Sequence, residues 1–89
     1  MKLSTKGRYG LRALLDLAIN SSGDHVSLSS IAERQSISEN YLEQVFSSMR
    51  KAGLVKSVKG AQGGYMLAHD ASKITVGSVL RVLEGEISV

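Results

Sequence analysis

No cysteine occurs in the 89 residues, so neither a disulfide framework nor a thiolate metal site can form within them. A reducing, cytoplasmic setting fits that absence. Aromatic residues are scarce too, limited to Phe46 and three tyrosines, so the core must be aliphatic, as helices packed on a small sheet would make it. Apolar stretches are only a few residues long and the N-terminus lacks the apolar segment of a signal peptide, which points to a soluble chain with no membrane partner. His25 and His69 are far apart and neither has a second ligand at metal spacing, so both read as loop residues and no metal site is expected. The glycine-rich run at 60–64 lacks the Lys-Ser/Thr ending of a nucleotide-phosphate loop. No nucleophile with a partnered base can be assembled, so catalysis is not expected.

What is present is enough for one small domain over residues 1–89 and too little for a second. The net charge of +3 is unevenly placed. Lys2, Lys6, Arg8 and Arg12 against Asp16 give residues 1–23 a charge of +3, and Arg50, Lys51, Lys56 and Lys59 give residues 50–60 a charge of +4. The segment between them is acidic. Two basic clusters suit a polyanion, although solvated lysine on an ordinary surface would look the same.

Ser4 and Thr5 are candidate caps for a helix with Leu11, Ala13, Leu14, Leu17 and Ala18 on one broad face and Arg8, Arg12 and Asp16 opposite. Turn chemistry from Asn20 to Asp24 ends it. Ser27 precedes the short amphipathic pattern Leu28, Ile31, Ala32, which stops near Gln35. Ser38 then opens Leu42, Val45, Phe46 and Met49, the spacing of one helical face, with Gly53 as the stop. Two helices so close together match a helix-turn-helix, as would a generic helical hairpin. Residues 54–58 and 65–67 flank the glycine-rich loop and read as a β-hairpin carrying Lys56 and Lys59, a basic wing that must pack on the helices to be stable. Thr75 caps a last helix through Val76, Val79, Leu80, Val82 and Leu83, ending near Gly85. The fold class is therefore α+β, mostly α, a winged helix-turn-helix with a two-stranded wing.

On a wheel of about 100° per residue, Asn40, Gln44, Ser47 and Lys51 point away from the core face of the second motif helix, with Glu43 at the edge. Asn and Gln can pair bidentately with adenine, and Glu can accept from the cytosine amino group. Glu43 is a candidate for specificity rather than affinity, because a carboxylate near phosphate is unfavourable unless it meets a base donor. Lys59 and the loop containing Gly60, Gln62 and Gly63 are suited to a minor groove, and Lys56 and Lys51 to phosphate. Ser4, Thr5, Lys6 and Arg8 offer a further phosphate site at a helix start, although capping explains the two hydroxyls equally well. Tyr41 and Tyr65 read as core-edge packing or as hydroxyls aimed at phosphate. A winged helix used for protein interaction is the competing reading, and the basic wing argues against it.

The segments MKLSTKGRYGLRALLDLA, SLSSIAERQSISENYLEQVFSSMRKAGLVKSVKGAQGGYMLA and ITVGSVLRVLEG resemble, over the whole chain, the bacterial winged-helix regulator family that includes IscR, NsrR and CymR. The resemblance implies homodimers on partly palindromic double-stranded DNA, with the second motif helix in the major groove and the wing in the minor groove. It places Ser38, Asn40, Glu43 and Gln44 at base-facing positions and Lys59 at a wing position usually held by arginine. Members that sense iron, redox state or nitric oxide hold an iron-sulfur cluster through cysteines located after the point where this chain stops. A cluster would therefore require a longer chain to supply cysteines, and the family's long C-terminal dimerisation helix is also absent from these residues. The ending RVLEGEIS resembles the cluster-free CymR branch, which implies repression of sulfur and cysteine genes together with cysteine synthase.

Overall fold

The computed structural model describes residues 4–21, 24–60 and 63–85. Helix α1 (Thr5–Asn20) begins where the Ser4 hydroxyl accepts from the Gly7 amide at 2.9 Å; Ser4 is thus the cap and Thr5 the first helical residue. Helix α2 (Leu28–Gln35) repeats the device, Ser27 accepting from Ser30 N at 3.2 Å, and ends at Ser36 in the left-handed region with φ 54°. Helix α3 (Glu39–Lys51) opens on Ser38, whose hydroxyl accepts from Tyr41 N at 3.1 Å. Each cap satisfies an amide that the helix itself leaves without a partner. Beyond α3 the chain reverses at Gly53, φ 82°, and enters β1 (Val55–Val58). Strand β2 (Gly64–Leu67) returns antiparallel, Val55 facing Leu67 and Ser57 facing Tyr65. A single 3₁₀ turn (Ala71–Lys73) precedes α4 (Val76–Gly85), whose first turn is held by Ser78 N donating to Thr75 Oγ1 at 3.0 Å.

The core is aliphatic as expected, with Phe46 at its centre. Leu14 and Leu17 of α1, Ile31 of α2, Leu42, Val45, Phe46 and Met49 of α3, Val55 of β1, and Val79 and Leu83 of α4 are all buried. Burial of each such side chain contributes about 1.5–3 kcal/mol. Tyr41 and Tyr65 lie at the core's edge, the Tyr65 ring 4.8 Å from that of Phe46.

Three features depart from the sequence expectation. Asp16 does not share an exposed face with Arg8 and Arg12; it is buried at 5% exposure, because α2 brings Arg34 and Gln35 over it. Val76 does not join the buried face of α4 and is 62% exposed. The wing has a third partner: Val26 bridges Tyr65, with hydrogen bonds of 2.8 and 2.9 Å in the two directions. That bridge joins β2 to the residue just before the α2 cap. Gly64 permits it, since a Cβ there would strike the Val26 carbonyl oxygen.

Candidate nucleic-acid interface

Helix α3 divides by angle into functions. Its core side is shut. Opposite that side, Asn40, Gln44 and Lys51 are exposed and Ser47 is half-buried, as the wheel requires. One flank faces the wing across a groove of about 860 Å³, with Glu39, Glu43, Ser47 and Arg50 on the α3 wall and Gly60 and Gly63 on the wing wall. The start of α2 closes the end of that groove through Ser27 and Ser29. The other flank packs on α1, where Lys6 Nζ donates to Ser48 Oγ at 3.1 Å and the Tyr9 and Tyr41 rings meet edge-on at 6.1 Å.

The wing supplies backbone and charge. Lys56 and Lys59 are exposed, Gly60 adopts φ 126°, a value L side chains rarely take, and Gly63 N donates to Gly60 O at 3.0 Å to narrow the tip. Gln62 lies outside the described residues. Glycine backbone beside exposed lysines can approach a polyanion closely.

The basic residues of α1 divide into two kinds. Arg12 is engaged within the fold, its Nη2 donating to Gln35 O at 2.9 Å and its Nε to Gln35 Oε1 at 3.2 Å. Arg8 is exposed, with its guanidinium 5.5 Å from the Tyr9 ring centre. Thr5 is exposed as well. The amides at the start of α1 are not all available to phosphate: Ser4 N donates to the Glu84 carboxylate at 2.7 Å, so α4 already places an anion there. The Ser38 hydroxyl oxygen is likewise used as the α3 cap. Exposed Ser38 retains its hydroxyl proton as a donor, so it can meet a base or phosphate only while capping.

A charged network joins α1 to α2. Asp16 accepts from Arg34 Nη2 at 2.7 Å, from Arg34 Nε at 2.9 Å and from Gln35 Nε2 at 2.9 Å. Hydrogen bonding from the Arg34 guanidinium holds the Asp16 carboxyl below its usual range, more than burial raises it. The same Gln35 backbone carbonyl is held by Arg12, so the turn leading into α3 is anchored twice to α1. His25, half-buried, has its Nδ1 2.9 Å from Asp24 Oδ1, and His69 is an exposed loop residue.

Of the predicted base-facing residues, the structure gathers Ser38, Asn40, Glu43 and Gln44 on the exposed side of one helix, Glu43 toward the wing and Asn40 and Gln44 outward. Sequence reasoning passed over Arg50. Its spacing of seven from Glu43, about two helical turns, was the available signal that both lie on the wing-facing flank.

Comparison with known proteins agrees with this geometry. The family model Rrf2, an iron-dependent transcriptional regulator, matches residues 3–89. The chain is 53% identical over 88 residues to the HTH-type transcriptional regulator CymR of Bacillus subtilis and 52% identical over 87 residues to IscR of Escherichia coli. It accounts for 64% and 54% of the lengths of those relatives, while 99% and 98% of its own length is matched. Among solved structures, CymR of B. subtilis superposes over the whole chain with a TM-score of 0.90 at 52% identity, covering 69% of that protein. IscR of T. potens does so with a TM-score of 0.88 at 57% identity, covering 65%. A cap-for-cap helix-turn-helix, a wing tied to its first helix and a family match over nearly every residue agree: the chain belongs to the Rrf2 family of transcriptional regulators.

Proposed function

We propose that residues 1–89 form one winged helix-turn-helix domain, the DNA-reading head of a homodimeric transcription regulator without catalytic activity. The carrying observation is the shared groove, which sets the exposed polar side of α3 and the basic, glycine-tipped wing on one side of the molecule. A helix presented this way enters the major groove, and the wing reaches the neighbouring minor groove. In this reading Ser38, Asn40, Glu43 and Gln44 meet bases, Lys59, Gly60, Gln62 and Gly63 enter the minor groove, and Thr5, Lys6, Arg8, Lys51 and Lys56 take phosphates. Ser4 serves as cap first and as phosphate contact only through its neighbours.

Homodimerisation is supported by an uncovered apolar surface on α1 and α4, where Leu15 and Val76 are 61% and 62% exposed beside a groove lined by Leu11, Leu14, Ile74 and Val79. Among the described residues no helix is long and apolar enough to cross a membrane, which accords with a DNA-bound regulator in the cytoplasm. Repression of sulfur or cysteine genes, with cysteine synthase as protein partner, is the first pathway reading, supported by the likeness to a relative described as the global cysteine regulator. Nearly equal likeness to IscR, and the iron-dependent description of the family, favour a second, an iron-sulfur-sensing regulator. The residues here do not fit such a cluster: cysteine is absent, and no group of three or more His, Asp or Glu side chains is gathered among the described residues. Its ligands would have to come from elsewhere in a longer protein. Mobility-shift titration of the dimer at several salt concentrations tests the central proposal. Affinity for duplex DNA is expected to fall steeply with salt, and absence of binding at low salt would refute it.

A further inference from the structure

A duplex that admits α3 to its major groove and the wing tip to the adjacent minor groove must carry the sugar-phosphate strand between those grooves across the space separating the two elements. That space is the groove already described, and its α3 wall presents two exposed carboxylates, Glu39 and Glu43. Phosphate cannot settle against two carboxylates without a cation to offset them. Among the described residues lining this groove, Arg50 is the one Lys or Arg. Its side chain is exposed and has no hydrogen-bond or ion-pair partner among the described residues. Lys56 and Lys59 do not line the groove, and Lys51 projects from the outer side of α3. His25, the other basic side chain on the lining, holds its Nδ1 against Asp24.

We infer that Arg50 is the positioning residue of this groove: its guanidinium grips the phosphate strand between the major and minor grooves and offsets Glu39 and Glu43. The inference rests on the DNA-binding reading above and goes beyond it by assigning a strand and a residue. A planar guanidinium can bind phosphate through two parallel hydrogen bonds, which fixes orientation as well as distance. Held there, the duplex meets Asn40 and Gln44 at a single depth and register.

The test compares wild-type protein, Arg50→Gln, Arg50→Lys and a control, Lys73→Gln, whose exposed side chain lies in the 3₁₀ turn outside the groove. Duplex binding is titrated against salt on a cognate and a scrambled sequence, and phosphate-ethylation interference is mapped on the cognate one. Arg50→Gln is expected to weaken both duplexes by a similar factor and to make the logarithmic salt slope shallower by about 1 per protomer. It also loses ethylation interference at the phosphates between the two grooves and keeps it elsewhere. Arg50→Lys keeps the slope and loses part of the affinity, while Lys73→Gln behaves as wild type. An unchanged slope and interference map in Arg50→Gln would overturn the inference, as would a loss confined to one base-pair substitution. So would a melting temperature lowered equally in both Arg50 variants, which would make the residue structural. Failure of the wild type to bind any duplex is a separate result, and it would remove the DNA-binding reading itself.

Discussion

Gln44 and Glu43 are neighbours in sequence that point into different surroundings, one outward from α3 and one toward the wing. Their substitutions should therefore fail in different ways. Gln44→Ala removes a donor-acceptor pair suited to adenine and is expected to cost about 1–3 kcal/mol on a cognate operator, with nonspecific binding nearly unchanged. Glu43→Ala removes a carboxylate that gains binding only where a base donor meets it, so variant operators should gain more than the cognate one. An operator-variant binding series for both proteins checks this, and a uniform loss over all sequences would make Gln44 structural or phosphate-facing and Glu43 structural. Asp16 has no such role, and its effect is on stability. With its folded-state pKa depressed, mainly by Arg34, its contribution is complete above the usual carboxylate range near 4 and disappears as pH falls through the folded value. Asp16→Asn should thus cost about 1–3 kcal/mol at neutral pH by urea denaturation. The gap between variant and wild type should narrow in acid. The burial of Asp16 was not legible from the sequence, because its partners lie 18 and 19 positions away on another helix.

Helix starts were legible because capping is local chemistry: Ser4, Ser27, Ser38 and Thr75 each hold an amide three positions ahead. The apolar spacing of α3 was legible for the same reason, a periodicity contained within one turn or two. A one-residue bridge has no period. Val26 gives no strand signal, so the tie between wing and α2 is legible only in the folded chain, where Tyr65 packs on Phe46 and bridges Val26. Gly64 is where that tie is most exposed to mutation. Gly64→Ala must push β2 away from the Val26 carbonyl, at a cost of about 1–3 kcal/mol. Amide hydrogen exchange should then quicken at Val26 and Tyr65 while the α3 core keeps its protection. Unchanged exchange at those two amides would show that the bridge does not anchor the wing.

Charge and symmetry act over the whole molecule. In the DNA-binding reading proposed above, clustered lysine and arginine would draw the domain to DNA from any direction, while two heads joined in one dimer would bind a two-part site with the gain that linkage provides, on the order of 10²- to 10⁴-fold. A single head is therefore expected to bind an operator by about that factor more weakly than the dimer does. Parallel titrations, with oligomeric state followed by sedimentation, check it; equal affinities for monomer and dimer would count against linkage. The 2.7 Å hydrogen bond from Ser4 N to Glu84 joins residues 80 positions apart, the longest sequence separation of any side-chain contact described. It makes a clasp. Helices α1 and α4 are buckled at that point, so the opening turn of α1 is held by whatever holds α4. Lys6, one turn's reach away, touches Ser48 on α3, and so a twist or withdrawal of α4 has a short mechanical path to the rim of the proposed DNA-reading surface.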